Sequence, residues 1–293
     1  MKLVHFFLVL VLAAFIGAGS AWVTTANLAL SPIVTAQHES AYARVLRTGT
    51  LRCGYLLYPH MLIKDPNTGE MSGPLVDIVN EIGRQTSLKV EWTEQVSFAT
   101  AFEGLKTGRY DAVCFHTMPT PGRARVALFS IPFLFSPWNA YVRADDKRFD
   151  NALPSLNRPE VRFVTIDGEF SQIVRSQDYP NSTNVSLPSL TDVAEGFLDV
   201  AHNKADVVTG QPAYARAFDQ NNPGQIRQVQ GPPLRMLAGA LSVASGEHDL
   251  KALLDTTLTT LQGTGFIERT LRRALPEPGM FLVPTTPWRA EGL

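Results

Sequence analysis

Few residues in this sequence have the types and settings that site chemistry needs. Arg123 closes a Thr120-Pro121-Gly122-Arg123 turn. A guanidinium there offers a planar fork that matches a carboxylate. The plainer alternative is a surface arginine that opens a helix together with Arg125. Glu169 precedes Phe170 and Ser171 at the expected start of a helix, whose free amides could meet an anion. The charge of Glu169 would repel that anion. His60 and His116 fall near the ends of predicted strands, and with Glu169 they could be read as metal ligands. No short histidine spacing supports that reading, and no cofactor is expected. Tyr55 and Tyr58 lie at the end of the first strand and could wall a pocket. Two cysteines, Cys53 and Cys114, cannot build a disulfide framework or a four-cysteine zinc site. An exported chain could join them in one disulfide; the simpler reading is two buried thiols acting as small hydrophobes.

These residues need a scaffold, and the hydrophobic periodicity supplies one. Leu51–Leu56 reads as a strand, and Asp65-Pro66-Asn67-Thr68-Gly69 as a turn. Leu75, Ile78, Val79 and Ile82 recur at helical spacing. Leu88–Trp92 alternates as a strand, Phe98, Ala101, Phe102 and Leu105 mark another helical face, and Tyr110–Phe115 is an apolar strand around one Asp. Strand and helix in alternation predict a parallel sheet covered by helices. The middle repeats the grammar: strand Val161–Ile166, a helix from Phe170 to Gln177, a helix faced by Val193, Phe197 and Val200, and strand Asp206–Thr209. Ser189 with Asp192 reads as a capping pair for the second of these helices. The chain returns with a strand at Ala238–Val243 and a helix carrying Leu250, Leu253, Leu254, Leu258 and Leu261, which Gly263-Thr264-Gly265 ends. A last helix runs from Phe266 to Leu275, and prolines leave 276–293 as an irregular tail.

The 293 residues are 45% apolar and 18% charged, enough for a large core and against wholesale disorder. Lys and Arg number 26 against 27 Asp and Glu, a net charge of -1 that gives no footing for nucleic acid. No long repeat is visible. After Lys2 no Asp, Glu, Lys or Arg occurs until Glu39, and the run Phe6–Ile16 is followed by small residues from Gly17 to Ala21. That is the grammar of a signal peptide. Extended to Val23 the run reaches about 18 residues, the lower limit for a membrane span, so 1–23 reads as a cleaved signal peptide or an uncleaved anchor. Residues 24–41 read as a tether.

Several stretches, in order, resemble the bacterial extracellular solute-binding proteins of family 3, the periplasmic receptors of polar amino-acid ABC transporters. They are Leu46–Gly54, Gly73 with Val76-Asp77-Ile78, Phe98 with Ala101 and Leu105–Gly108, Tyr110–Val113, Thr120–Ala124, Phe129–Phe133, and Leu258–Leu261 with Gly263–Ile267. The resemblance implies an α/β fold of type II periplasmic-binding-protein kind, a two-lobed clamshell with two hinge-crossing strands. Lobe 1 would take 42–139 and 238–275, and lobe 2 would take 140–237, leaving 276–293 as a Pro-rich tail. The crossings would fall near Asn139–Val142 and Leu237–Ala240.

The resemblance also assigns roles. Arg123 would grip the carboxylate of a ligand, and Phe98 would cover it, or else pack in the core with Phe102. Receptors of this type carry one acid near the end of the first strand and another after the lobe-2 strand, which together hold the ammonium of an amino acid. Here those positions are Leu56 or Leu57, and Gln211. Met118 and His116 stand where a Ser or Thr and a Gly or Ser are usual. An unpaired buried ammonium costs several kcal/mol, so the expected ligand is an acid without a free α-amino group, or an amino-acid-like one whose amine is modified, with Glu169 the one acid able to rescue an amine. The expected site is therefore Tyr55, Tyr58, Phe98, His116, Met118, Arg123, Glu169, Phe170, Ser171 and Gln211. The function implied is extracytoplasmic capture of a small carboxylate-bearing solute by a monomeric, non-enzymatic receptor that serves an ABC transporter permease from the periplasm. A periplasmic dehydratase on the same scaffold and a membrane-tethered sensor are the alternatives.

Overall fold

In a computed structural model, residues 39–150, 153–275 and 280–284 are described. The expected signal peptide or anchor at 1–23, nearly all of the tether, and most of the Pro-rich tail lie outside them. Ser40 caps helix α1 (Ala41–Thr48), its hydroxyl accepting the Ala43 amide. Strand β1 (Thr50–Tyr55) leads into a hairpin of β2 (Ile63–Lys64) and β3 (Met71–Ser72), which the Asp65–Gly69 turn closes. Helix α2 (Pro74–Thr86) then buries Leu75, Ile78, Val79 and Ile82. Its N-cap, Gly73, sits at φ 111°, and a Cβ there would meet the Met61 carbonyl oxygen at 2.5 Å, so only glycine fits. Edge strand β4 (Lys89–Gln95) alternates exposed and half-buried residues, as an edge with one covered face should. Helix α3 (Ala101–Lys106) is shorter than the periodicity predicts, because Phe98 precedes its first turn. Strand β5 (Ala112–Thr117) is buried along its whole length between β1 and later strands. The short helix α4 (Pro121–Ala124) and strand β6 (Ala127–Phe129) follow.

Two long strands join the halves of the molecule. In β7 (Leu134–Arg143) the first half, Leu134–Trp138, pairs with the last long strand, and Asn139–Val142 pairs with strands of the second lobe. That lobe holds β8 (Arg162–Ile166), α5 (Phe170–Asp178), β9 (Thr183–Leu187), α6 (Val193–Ala201), β10 (Val207–Gly210), α7 (Pro212–Asn221) and β11 (Ile226–Gln228). Strand β12 (Arg235–Ala244) returns, pairing with β7 at Arg235–Gly239 and with β5 and β6 from Ala240 onward. Helices α8 (His248–Gly263) and α9 (Phe266–Ala274) close the first lobe. The sheet path is β4-β1-β5-β12-β7-β10-β8-β9, parallel within each lobe's βα units and antiparallel where β7 and β12 cross. Separate apolar cores flank this path. One gathers residues such as Val45, Ile78, Phe115, Leu241 and Leu258; two others cover opposite faces of the second lobe's strands, around Phe163 and around Phe197.

Each lobe anchors its central strand in the same way. Buried Asp111 accepts the Arg52 amide at 2.9 Å and the Arg52 guanidinium at 2.9 Å. Buried Asp206 accepts the Arg162 amide at 2.8 Å and its Nε at 3.0 Å. The Asp inside each otherwise apolar run therefore ties two neighbouring strands at their entrance.

Three details correct the sequence reading. Asp192 alone caps α6, accepting the Ala194 amide, and Ser189 takes no part. Cys53 and Cys114 are a disulfide between β1 and β5, with Cα atoms 5.4 Å apart, rather than two free thiols. Parallel neighbours in the register Cys53↔Ala112 bring the two side chains within bonding reach. Within the Pro-rich tail, Met280 and Phe281 are buried in the first lobe's core, and Leu282 pairs with Phe135 of β7, so this stretch is docked. Among the described residues no helix is long and apolar enough to cross a membrane.

Candidate functional site

Strand β8 ends in the Asp167-Gly168 turn, where Gly168 takes φ 80° and the Glu169 amide returns to the Ile166 carbonyl at 3.0 Å. This turn aims Glu169, the N-cap of α5, at the space between the lobes. From the other lobe, Thr120 caps α4 and holds the Arg123 amide at 3.3 Å. The Arg123 guanidinium donates to the Met118 carbonyl at 3.2 Å and lies 5.7 Å over the Phe102 ring. Its Nη2 stands 3.8 Å from a Glu169 carboxylate oxygen, with side chains only 15% and 17% exposed. The sequence alternative of a plain surface arginine therefore fails on burial.

A cavity of about 60 Å³ surrounds this pair. Tyr58, Phe98, His116, Met118, Arg123, Glu169, Phe170, Ser171 and Gln211 all line it. Tyr55 does not: its ring packs edge-on against Trp92 at 5.9 Å, and its hydroxyl meets Lys64 at 3.3 Å. His60 and both leucines at the first acid position also lie elsewhere; Leu56 packs against the first core and Leu57 is exposed. Larger hollows exist, one of about 710 Å³ that Pro137, Asn139 and Tyr141 help to line. Alternation along β7 turns those three residues away from the face that presents Trp138 to the smaller cavity. The smaller cavity carries a buried ion pair with one partner from each lobe, so it is the stronger candidate.

Rings build much of its wall. Tyr58 meets His116 at 4.4 Å and Tyr214 at 4.7 Å, Phe98 meets Phe115 at 5.9 Å, and Trp138 meets Phe170 at 5.3 Å, all edge to face. Ser171 is spent on the fold, its hydroxyl accepting the Ile166 amide at 3.1 Å. The Tyr58 hydroxyl donates to the Gln211 side-chain oxygen at 2.5 Å, which ties the two lobes across the cavity. Three polar atoms that line it are buried without a partner: His116 Nδ1, Trp138 Nε1 and Thr209 Oγ1. Leaving such groups unmet costs about 1–3 kcal/mol each, a cost that a polar ligand would offset.

Burial sets the charges. It pulls the Arg123 guanidinium down against the support of Glu169, yet a guanidinium stays protonated in proteins. Burial pushes Glu169 up to about 7, opposed by Arg123 and the Phe170 amide. Burial holds His116 down at about 4, so its imidazole is neutral at neutral pH. Tyr58 and Tyr214 are pushed well up by burial and remain hydroxyl donors. Among the described residues, no group of three or more His, Cys, Asp or Glu is arranged to hold a metal ion.

Residues 51–277 match the family model of the bacterial extracellular solute-binding proteins, family 3. The chain belongs to that family. Over 143 residues it is 28% identical to the probable ABC transporter extracellular-binding protein YckB of Bacillus subtilis (strain 168), covering 47% of this chain and 49% of that protein. The match thus spans about half the length of that relative. The ancestral amino acid-binding protein AncCDT-1, a precursor of cyclohexadienyl dehydratase, superposes with a TM-score of 0.68 at 21% identity, covering 80% of this chain and 99% of its own. A mutant of the protein ArgBP from T. maritima superposes with a TM-score of 0.67 at 23% identity, covering 81% and 100%. At such identities the structural likeness speaks to the two-lobed type II binding fold alone.

Sequence reasoning missed Trp138 and Tyr214 in this family-3 cleft. Trp138 directly precedes the expected crossing at Asn139, and Tyr214 lies one helical turn after Gln211, so both signals were within reach. The Tyr58–Gln211 contact gives a direct test of closure. Tyr58→Phe should cost about 1 kcal/mol in urea denaturation and raise the radius of gyration of the unliganded protein in solution scattering. Unchanged values of both would show that this bond does not hold the lobes together.

Proposed function

We propose that this protein captures a small carboxylate-bearing solute outside the cytoplasm and delivers it, as a monomer, to an ABC importer. The observation that carries the reading is the Arg123 guanidinium, buried in a ring-walled cavity between two lobes and faced by one acid. Gln211, where relatives of this type carry an acid, spends its side-chain oxygen on Tyr58. Little is left to hold an ammonium, which favours an acid that lacks a free α-amino group or carries a modified one. Trp138, Phe98 and Phe170 would cover its apolar body. The small enclosed volume favours a compact ligand and closure around it.

Mass spectrometry of small molecules retained by the purified protein tests the class. Calorimetry with matched pairs, an amino acid against its deaminated counterpart, tests the charge preference. Gln211→Asp should move that preference about tenfold toward the amine-bearing partner, because it supplies a second carboxylate. Tight wild-type binding of an ordinary amino acid, lost in Glu169→Gln but kept in Arg123→Ala, would overturn the assignment.

One observation favours a second reading. A carboxyl group held near 7 in a dry cleft is suited to general-acid work, which a dehydratase on this scaffold would need. Product formation from a cyclic hydroxy acid, absent in Glu169→Gln, would establish it.

A further inference from the structure

Arg123 and Glu169 come from different lobes, and the carboxylate of Glu169 stands at the guanidinium that a ligand carboxylate would use. The inference rests on the reading of Arg123 as that anchor and adds what the anchor does before a ligand arrives. We propose that Glu169 is an internal competitor for the anion subsite at Arg123, so that capture of a carboxylate is coupled to uptake of one proton by Glu169.

The geometry leaves few other ways to balance the charges. Among the described residues Arg123 has one acid in ion-pair range, at 3.8 Å, and its guanidinium otherwise donates to the neutral Met118 carbonyl. A second carboxylate at the guanidinium would put two negative charges against one positive charge in a cavity closed to most water. Two carboxylates that share such a site raise each other's affinity for a proton. Every titratable neighbour points the same way. His116 on β5 is neutral, Tyr58 and Tyr214 are protonated hydroxyls, and Asp192 at the start of α6 adds only negative charge near Tyr214. Asp167, in the same turn as Glu169, is bonded to Gln172 and Ser186. No second cation faces Glu169 among these groups. With the carboxyl already held near 7, a small further rise keeps it protonated at neutral pH. The proton on Glu169 then turns a repelling group into a hydrogen-bond donor toward the bound anion.

The sign distinguishes this device from ordinary amino-acid recognition. An ammonium set against Glu169 would lower its proton affinity, and binding would release a proton. An anion alone raises it, and binding takes one up. Above the Glu169 midpoint, affinity for the anion should therefore fall by up to about tenfold per pH unit.

The probe is acetate, the smallest carboxylate with an apolar end. The full chain is labelled with ¹³C at glutamate carboxyl carbons, and Glu169 is the resonance absent from Glu169→Gln. If that variant does not fold, Glu169→Asp removes the same resonance. The expected results are a titration midpoint near 7, a higher midpoint in Arg123→Gln, and a higher midpoint in wild type as acetate is added. Acetate affinity in Glu169→Gln should exceed that of wild type at pH 8 and lose its pH dependence. A midpoint in the ordinary glutamate range that Arg123→Gln leaves in place would overturn the pairing. A midpoint that acetate leaves unchanged, or lowers, would overturn the coupling. A retained native ligand without a carboxylate would instead refute the proposed function, whatever acetate does.

Discussion

Arg123→Ala is expected to weaken ligand capture by about 30-fold to several thousandfold. Truncating one partner of a buried charge pair costs about 2–5 kcal/mol, mostly because the other charge stays buried and unmatched. The carboxylate of the ligand would lose its cation in a cavity where the side chains are mostly covered. Calorimetry with the retained ligand reads the effect. Arg123→Lys should recover only part of it, since an ammonium cannot reproduce the planar fork or its place over Phe102. The melting temperature without ligand should change far less than the affinity, because Arg123 sits in a four-residue helix at the cavity rim. Equal losses in both would assign Arg123 to the fold and not to the ligand.

The second large effect concerns the disulfide. Cys53 and Cys114 close a loop with a sequence separation of 61. In the chain-entropy model a loop of that length restricts the unfolded chain by about 4 kcal/mol. The double substitution Cys53→Ala, Cys114→Ala should lower stability by about that amount, and the melting temperature by roughly 8–16 °C. The double variant avoids a lone reactive thiol. Wild type unfolded and refolded in reductant should match it. Native wild type should resist the same reductant, because both sulfurs are fully buried. Identical denaturation curves for oxidised wild type, reduced wild type and the double variant would show that the two thiols are not joined. An effect of this size also bears on localisation, since the bond needs an oxidising compartment such as that to which the charge-free N-terminal run would direct the chain.

The sequence by itself determined the α/β alternation, because apolar period reports directly which face of a strand or helix is covered. The helix faces of α2, α6 and α8 were legible for that reason, and so was the largely apolar run of β5. The ordered motifs from Leu46 to Ile267 determined the family, since glycines, caps and turn prolines are local demands of the backbone. Arg123 was legible as a candidate because its turn is a local signal.

Only the tertiary structure decided which of the neighbouring side chains meet. Tyr55 and Tyr58 are alike in the sequence, yet Tyr55 ends a paired strand and packs on Trp92, while Tyr58 lies beyond it and reaches Gln211 across the cleft. Trp138 faces the cavity through the register of β7 against β12, a pairing between residues nearly a hundred positions apart. The docking of Met280 and Phe281 depends on a groove assembled from distant elements, so the local run of prolines gave no hint of it. Cys53 and Cys114 bond because parallel strands set them side by side, a matter of register and not of composition. The charge on Glu169 is decided in the same way: a glutamate in a turn is an ordinary acid until another lobe closes over it and removes the water that would stabilise its ion.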